Sequence, residues 1–168
     1  LRGYELLEGT LSVGIQVHFD KFAFPGDPAR AHGIPFNEIW FDSPLGELAA
    51  WQVAGSGETW VIFVHGKGAS RGEALRMLAA VYGAGLPSLV ITYRNDAGAP
   101  EDPSGYYWYG LTEWEDLEAA ARYALGNGAT GLVVVGYSMG GGIVANFMYQ
   151  SPLADRVVGA ILDSPMLD

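Results

Sequence analysis

The sequence predicts an α/β fold, a three-layer sandwich in which an N-terminal β-hairpin leads into a mostly parallel sheet with helices on both faces. Three observations predict it. Four apolar runs, Trp60–Val64, Leu89–Tyr93, Leu132–Val135 and Val157–Leu162, are too continuous for a half-exposed strand and suit strands covered on both faces. Helix-length amphipathic segments alternate with these runs. Before them stand two shorter strands, Glu38–Phe41 and Leu48–Val53, joined by the turn Asp42-Ser43-Pro44-Leu45-Gly46, which reads as a hairpin.

Taken in order, residues 1–35 hold no sustained period and carry two turn-rich stretches, Phe24-Pro25-Gly26-Asp27-Pro28 and His32-Gly33-Ile34-Pro35, so they read as an irregular lead-in with a weakly signalled helix near Tyr4–Leu7. Residues 36–168 form the core. Ser70-Arg71-Gly72-Glu73 and Thr112-Glu113-Trp114-Glu115 each fit a capping box, in which a hydroxyl and a carboxylate exchange bonds with orphan amides at a helix start. Leu75, Leu78 and Tyr82 then share one face of the first helix, and Trp114, Leu117, Ala121 and Leu125 one face of the second. Gly83 and Gly126 are the expected left-handed residues that end them.

Composition narrows the function. The 168 residues, 49% hydrophobic and 17% charged, suit one globular domain. A domain of this size buries roughly 68–70% of its unfolded surface and needs no disulfide or metal for stability. With no cysteine, zinc-thiolate sites, iron–sulfur clusters, thiol catalysis and redox switching are excluded. Nine Lys and Arg against nineteen Asp and Glu give a net charge of -10, which repels nucleic acid and anionic membrane surfaces. No apolar run approaches the about 18 residues of a membrane span, and no signal peptide opens the chain. The first residue is Leu, so an upstream anchor or leader stays open, and the residues indicate neither compartment nor oligomeric state. The loop Gly66-Lys67-Gly68-Ala69-Ser70-Arg71 satisfies neither the P-loop nor the dinucleotide pattern, and no metal-ligand cluster stands out, so no cofactor and no metal are expected.

The motif that carries chemistry is Gly136-Tyr137-Ser138-Met139-Gly140, which follows an apolar strand and opens an apolar helix. Such a turn presents a serine Oγ at the carboxyl edge of a sheet, and side chains two residues to either side would collide there, which Gly136 and Gly140 avoid. The helix beginning near Met139 aims its amides where an oxyanion would form on a carbonyl. After the first parallel strand comes His65-Gly66-Lys67-Gly68, an H-G-x-G run that resembles the oxyanion loop of α/β hydrolases. From about Pro35 to Asp168 the chain resembles the N-terminal half of an α/β hydrolase, and is similar to the serine-aminopeptidase-like esterase group. The carriers, in order, are Leu45-Gly46-Glu47-Leu48-Ala49-Ala50-Trp51, the H-G-K-G loop, Tyr93-Arg94-Asn95-Asp96, Thr112-Glu113-Trp114-Glu115-Asp116 and G-Y-S-M-G. At Tyr93-Arg94-Asn95-Asp96 relatives commonly carry a glycine-containing turn, so this chain departs from the pattern there.

The resemblance implies a serine hydrolase. Ser138 would attack a small-molecule ester or amide carbonyl, the backbone N–H groups of Met139 and Lys67 would hold the oxyanion, and water would release the acyl group. It also implies a chain order of serine, then acid, then histidine. No histidine follows Ser138; His18, His32 and His65 all precede it. Asp163, after the last strand, stands where a minority of the family places the triad acid, and a loop-opening or helix-capping aspartate is the other reading. The acid and histidine are therefore expected downstream of Asp168, with the sheet truncated before its last strands and without a lid, and these 168 residues alone are expected to be inactive. The alternatives are a non-catalytic binding module on the same fold, or a piece completed by another chain. Tyr106-Tyr107-Trp108-Tyr109 reads either as an apolar wall over the substrate pocket or as rings packed back onto the domain. An unpaired edge after Val157–Leu162 predicts aggregation or edge-to-edge pairing.

Overall fold

The computed structural model describes residues 9–16, 24 and 26–167. The expected helix near Tyr4–Leu7, and His18, lie outside them. The hairpin pairs β1 (Asn37–Ser43) with β2 (Gly46–Val53) antiparallel, Phe41 facing Leu48 and Ser43 facing Gly46. Four strands follow, β3 (Thr59–Val64), β4 (Ser88–Ile91), β5 (Gly131–Tyr137) and β6 (Val157–Asp163), parallel wherever they pair with one another. The sheet order is β1-β2-β4-β3-β5-β6, with β2 antiparallel to β4. The chain therefore leaves β3 toward one neighbour and returns past it to the other. That reversal opens a crevice at the carboxyl ends of β3 and β5.

Helices cover both faces. Ile62 and Val64 of β3 pack with Leu117 and Ala121 of α3 (Trp114–Gly126) and Ile143 and Phe147 of α4 (Met139–Gln150), while Val61 and Phe63 point to the opposite layer with Leu75 and Leu78 of α2 (Leu75–Gly83). This alternation is the period-2 geometry of a strand between two apolar layers. Each Leu, Ile or Phe buried this way contributes about 1.5–3 kcal/mol over an exposed one. Tyr82, expected on the core face of α2, is 41% exposed. At this end of the helix it is Val81 that packs against the core layer.

The lead-in contains a helix that the turn-rich reading passed over. α1 spans Pro28–His32, with the Asp27 side chain accepting from the Arg30 N–H, Pro28 at the first position, and Gly33 closing it at φ 67°. Its start and stop signals are complete in the sequence. Neither capping box closes, although Ser70 does serve as an N-cap. Ser70 Oγ accepts from the Gly72 N–H at 3.3 Å and opens a 3-10 turn, Arg71–Ala74, ahead of α2, while the Glu73 carboxylate bonds to the Gly66 N–H. The Thr112 hydroxyl is buried with no partner among the described residues, and the Glu115 carboxylate takes the Arg94 guanidinium. In each case a donor from outside the helix start, Gly66 after β3 or Arg94 after β4, holds the carboxylate that the local motif would use.

The helix-ending glycines also sit two residues beyond the expected Gly83 and Gly126. Gly85, at φ 74°, and Gly128, at φ 98°, take the left-handed conformation. Leu86 N–H then returns to Val81 O at 3.3 Å and Ala129 N–H to Ala124 O at 3.0 Å. The residue after such a glycine packs back on its helix. Leu86 and the buried Ala129 can do so, whereas the polar Asn127 cannot.

Candidate functional site

Strand register brings the two loops of interest side by side. Val64 of β3 pairs with Gly136 of β5, so two residues further on Gly66 stands level with Ser138. A Cβ on Gly66 would lie 3.0 Å from Ser138 Cβ. Ser138 itself turns between β5 and α4 at φ 49° and ψ -115°. Its N–H donates to Asp163 O at 2.9 Å, and its own carbonyl accepts from Gly141 N–H and Met166 N–H, each at 2.9 Å. The flanking glycines are sterically required: a Cβ on Gly136 would meet Gly140 O at 2.5 Å, and one on Gly140 would meet Val64 O at 2.2 Å. Met139 begins α4, so its amide has no acceptor within the helix.

The described histidines are committed elsewhere. His32 Nε2 bonds to Leu75 O at 2.8 Å. His65 is buried, with Nδ1 on Gly66 O at 2.9 Å, Nε2 on Asp96 Oδ2 at 2.8 Å, and its ring stacked on Tyr93 at 4.4 Å between centroids. Asp96 also accepts from the Tyr93 N–H at 2.9 Å, which fixes the carboxylate. Burial, with Asp96 adding to it, pushes the Tyr93 phenol well above its ordinary range. Burial likewise pushes Tyr137 up to about 12. Asp163 ends β6, and its carboxylate lies 3.3 Å from Arg76 Nη2 and accepts from Ser164 Oγ at 3.1 Å. Of the expected site residues, Gly66, Lys67, Gly136, Ser138, Met139 and Gly140 gather at one end of β3 and β5, and Asp163 reaches Ser138 through its backbone carbonyl.

The departure at Tyr93-Arg94-Asn95-Asp96 has a physical account. Asn95 adopts φ 69°, the left-handed conformation a glycine turn would supply, and its side chain accepts from Asp102 N–H and donates to Tyr106 O. Arg94 is buried against Asp116, with Nε on Oδ2 at 2.8 Å and Nη2 on Oδ1 at 2.9 Å. Burial opposes the Arg94 charge, but the bonds to Asp116 and Glu115 outweigh it and raise its pKa. Burial also raises the Asp116 carboxyl, with Arg94 pulling the other way. Hydrogen bonds from Ser104 hold Asp102 below the usual carboxylate range.

The aromatic segment divides between its two readings. Tyr107 packs toward the core, edge-on to Tyr93 at 6.2 Å, and donates to Asn95 O. Trp108 and Tyr109 instead line a cavity of about 210 Å³ with Leu111, Gly142, Met166 and Leu167, beside the first turns of α4. The buried Glu113 carboxylate fixes this loop by accepting from Trp108 N–H at 2.7 Å and Gly110 N–H at 2.8 Å. The Lys67 ammonium donates to Tyr109 Oη at 2.5 Å and lies 4.7 Å from the ring centroid, bridging the two loops. Asp96 and Tyr109 lie in segments the sequence singled out, though without their partners, and Glu73 and Glu113 are structural members of the site that sequence reading missed. Glu73 and Glu113 do lie in or beside the capping motifs, but nothing in those motifs indicates their partners.

Among the described residues no helix is long and apolar enough to cross a membrane, and no three His, Asp or Glu side chains come together to hold a metal ion. No protein-family model matches the sequence, and no curated protein matches it. Solved structures do. An esterase from Pyrococcus furiosus aligns at 18% identity and a TM-score of 0.71 over 86% of this chain and 56% of its own. An epoxide hydrolase from an endophytic Streptomyces aligns at 24% identity and 0.62, over 76% of this chain and 36% of its own. An alpha/beta hydrolase from Novosphingobium aromaticivorans aligns at 20% identity and 0.62, over 76% and 43%. At these identities the likeness is one of fold, and the chain spans between about a third and somewhat over half of each of these proteins.

Proposed function

We propose that this chain, whose fold is the first part of an α/β-hydrolase fold, carries the nucleophile and oxyanion hole of a serine hydrolase acting on carboxylic esters, with amides the next class. The observation that carries the reading is the conformation of Ser138, held at φ 49° on a turn where Gly136 and Gly140 leave no room for a side chain. A backbone in that region is costly and persists where surrounding contacts impose it, as at active sites.

In this reading Ser138 Oγ attacks the ester carbonyl carbon while a general base takes its proton. The carbonyl oxygen gains negative charge between the Met139 and Lys67 amides. The tetrahedral species then expels the alcohol, which takes the proton back from the base, and leaves an acyl group on Ser138. Water, deprotonated by the same base, releases the acid. The base is a histidine outside the described residues, which the family's chain order places, with its acid, beyond Asp168. The cavity beside Trp108, Tyr109 and Leu111 receives an apolar part of the substrate.

The second reading, a non-catalytic binding module, draws on the commitment of His32 and His65 to other partners. Fluorophosphonate labelling of the full-length native polypeptide separates the two. The hydrolase reading expects one labelled serine and complete loss of label in Ser138→Ala. A full-length protein that takes no Ser138-dependent label overturns the hydrolase reading.

A further inference from the structure

We propose that Glu73 is the positioning residue for the Lys67 oxyanion donor; this rests on the serine-hydrolase reading above. The peptide units His65–Gly66 and Gly66–Lys67 present four polar groups. Three are held. The His65 carbonyl accepts from Tyr93 Oη at 3.1 Å, the Gly66 carbonyl accepts from Tyr93 Oη at 3.3 Å and from the Ala69 N–H at 3.1 Å and bonds to His65 Nδ1 at 2.9 Å, and the Gly66 N–H donates to Glu73 Oε2 at 2.8 Å. The fourth, the Lys67 N–H, has no acceptor among the described residues. In a planar trans peptide the N–H points away from the C=O, so the partners of the Gly66 carbonyl aim the Lys67 N–H directly, and Glu73, by fixing the preceding peptide plane through the Gly66 N–H, restrains the hinge at Gly66 between the two.

Glycine has little conformational preference of its own, and Gly66 must remain glycine because a Cβ would crowd Ser138. Its orientation is therefore set by its partners, and Glu73 is the one that holds its N–H. The carboxylate is well fixed for this. It stands on the 3-10 turn Arg71–Ala74, where Glu73 N–H donates to Ser70 O at 3.0 Å, and its side chain is 19% exposed. Arg76 adds an outer tie: Nη2 lies 3.5 Å from Glu73 Oε1 and 3.3 Å from Asp163 Oδ2, and Asp163 O accepts from Ser138 N–H. Arg76 and Asp163 are each 43% exposed, so solvent screens that tie and the hold on the loop comes mainly from the Glu73 bond. Glu73 touches no substrate in this arrangement. It acts through the peptide that carries the donor.

The test uses the full-length native polypeptide carrying Glu73→Ala, Glu73→Gln or Glu73→Asp, with a short-chain p-nitrophenyl ester, a fluorophosphonate and a thermal melt. Loss of a whole oxyanion donor costs about 10²–10³ in kcat, so misaiming one in Glu73→Ala is expected to lower kcat and the labelling rate by about tenfold or more, with KM within about twofold of wild type. Glu73→Gln keeps an oxygen acceptor for the Gly66 N–H and is expected to restore kcat to within about threefold. Should Glu73→Ala not fold, Glu73→Asp, whose carboxylate is one methylene short, is expected to show the same fall in kcat at unchanged KM. A wild-type kcat in the variant that folds, a rise in KM alone, or a Glu73→Gln variant as impaired as Glu73→Ala overturns the proposal. Wild-type protein that takes no label at Ser138 overturns the hydrolase reading itself, and with it the role of Glu73. Wild type that labels while Glu73→Ala labels equally fast overturns Glu73 alone.

Discussion

Ser138 holds a conformation that L residues avoid, at a cost of about 1–3 kcal/mol. Three backbone bonds maintain it, from the Ser138 N–H to Asp163 O and from Gly141 and Met166 to the Ser138 carbonyl. Glycine tolerates this region but gains freedom in the unfolded chain. Weighing the two, Ser138→Gly is expected to raise the unfolding free energy by about 1 kcal/mol while abolishing fluorophosphonate labelling. A lowered urea midpoint in Ser138→Gly would show that the turn stores no strain. The need for glycine at 136 has a local cause, since a Cβ there meets the Gly140 backbone of the same turn, whereas glycine at 140, though legible in the motif, is required by the Val64 and His65 carbonyls at the end of β3. Glycine at 66 answers to a contact across two loops, and its surroundings are not legible locally.

The elements were legible in kind and order, and least so at their ends. Apolar periodicity located all six strands and the three longer helices. It placed the helix-ending glycines two residues early, because several glycines cluster there and the choice depends on which following residue can pack back. The structure separates them: a Cβ on Gly126 would meet nothing within 4 Å at an ordinary helical φ, whereas Gly128 sits at φ 98°. Gly126→Ala is therefore expected to stabilise the protein by about 0.5–1 kcal/mol through helix propensity. Gly128→Ala is expected to destabilise it by about 1 kcal/mol through left-handed strain. Thermal melts of the two variants shifting in the same direction would contradict this assignment of the helix end.

Across the whole molecule, β6 pairs only with β5 among the described strands, and Val158 (68%), Ile161 (43%) and Leu162 (40%) are exposed along it. An apolar strand with an open edge is a template for pairing. The 168-residue chain by itself is expected to associate with rising concentration in light scattering, and Val158→Lys to weaken that association; a monomer at all concentrations would show that the edge is protected. The sequence by itself determined the hairpin, the alternation of strands and helices, and the serine turn, since periodicity and glycine sterics act over a few neighbouring residues. Only the tertiary structure decided which carboxylate takes which donor. Glu73 holds Gly66 rather than its helix start, Arg94 is matched by Asp116 and Glu115, and Asp163 meets Ser138 through its carbonyl. The reason is physical: an acceptor bonds to whichever donors the folded chain brings within about 3 Å, and here they lie outside the local turn or helix start, seven residues away for Glu73 and more than twenty for Arg94 with its two carboxylates and for Asp163 with Ser138.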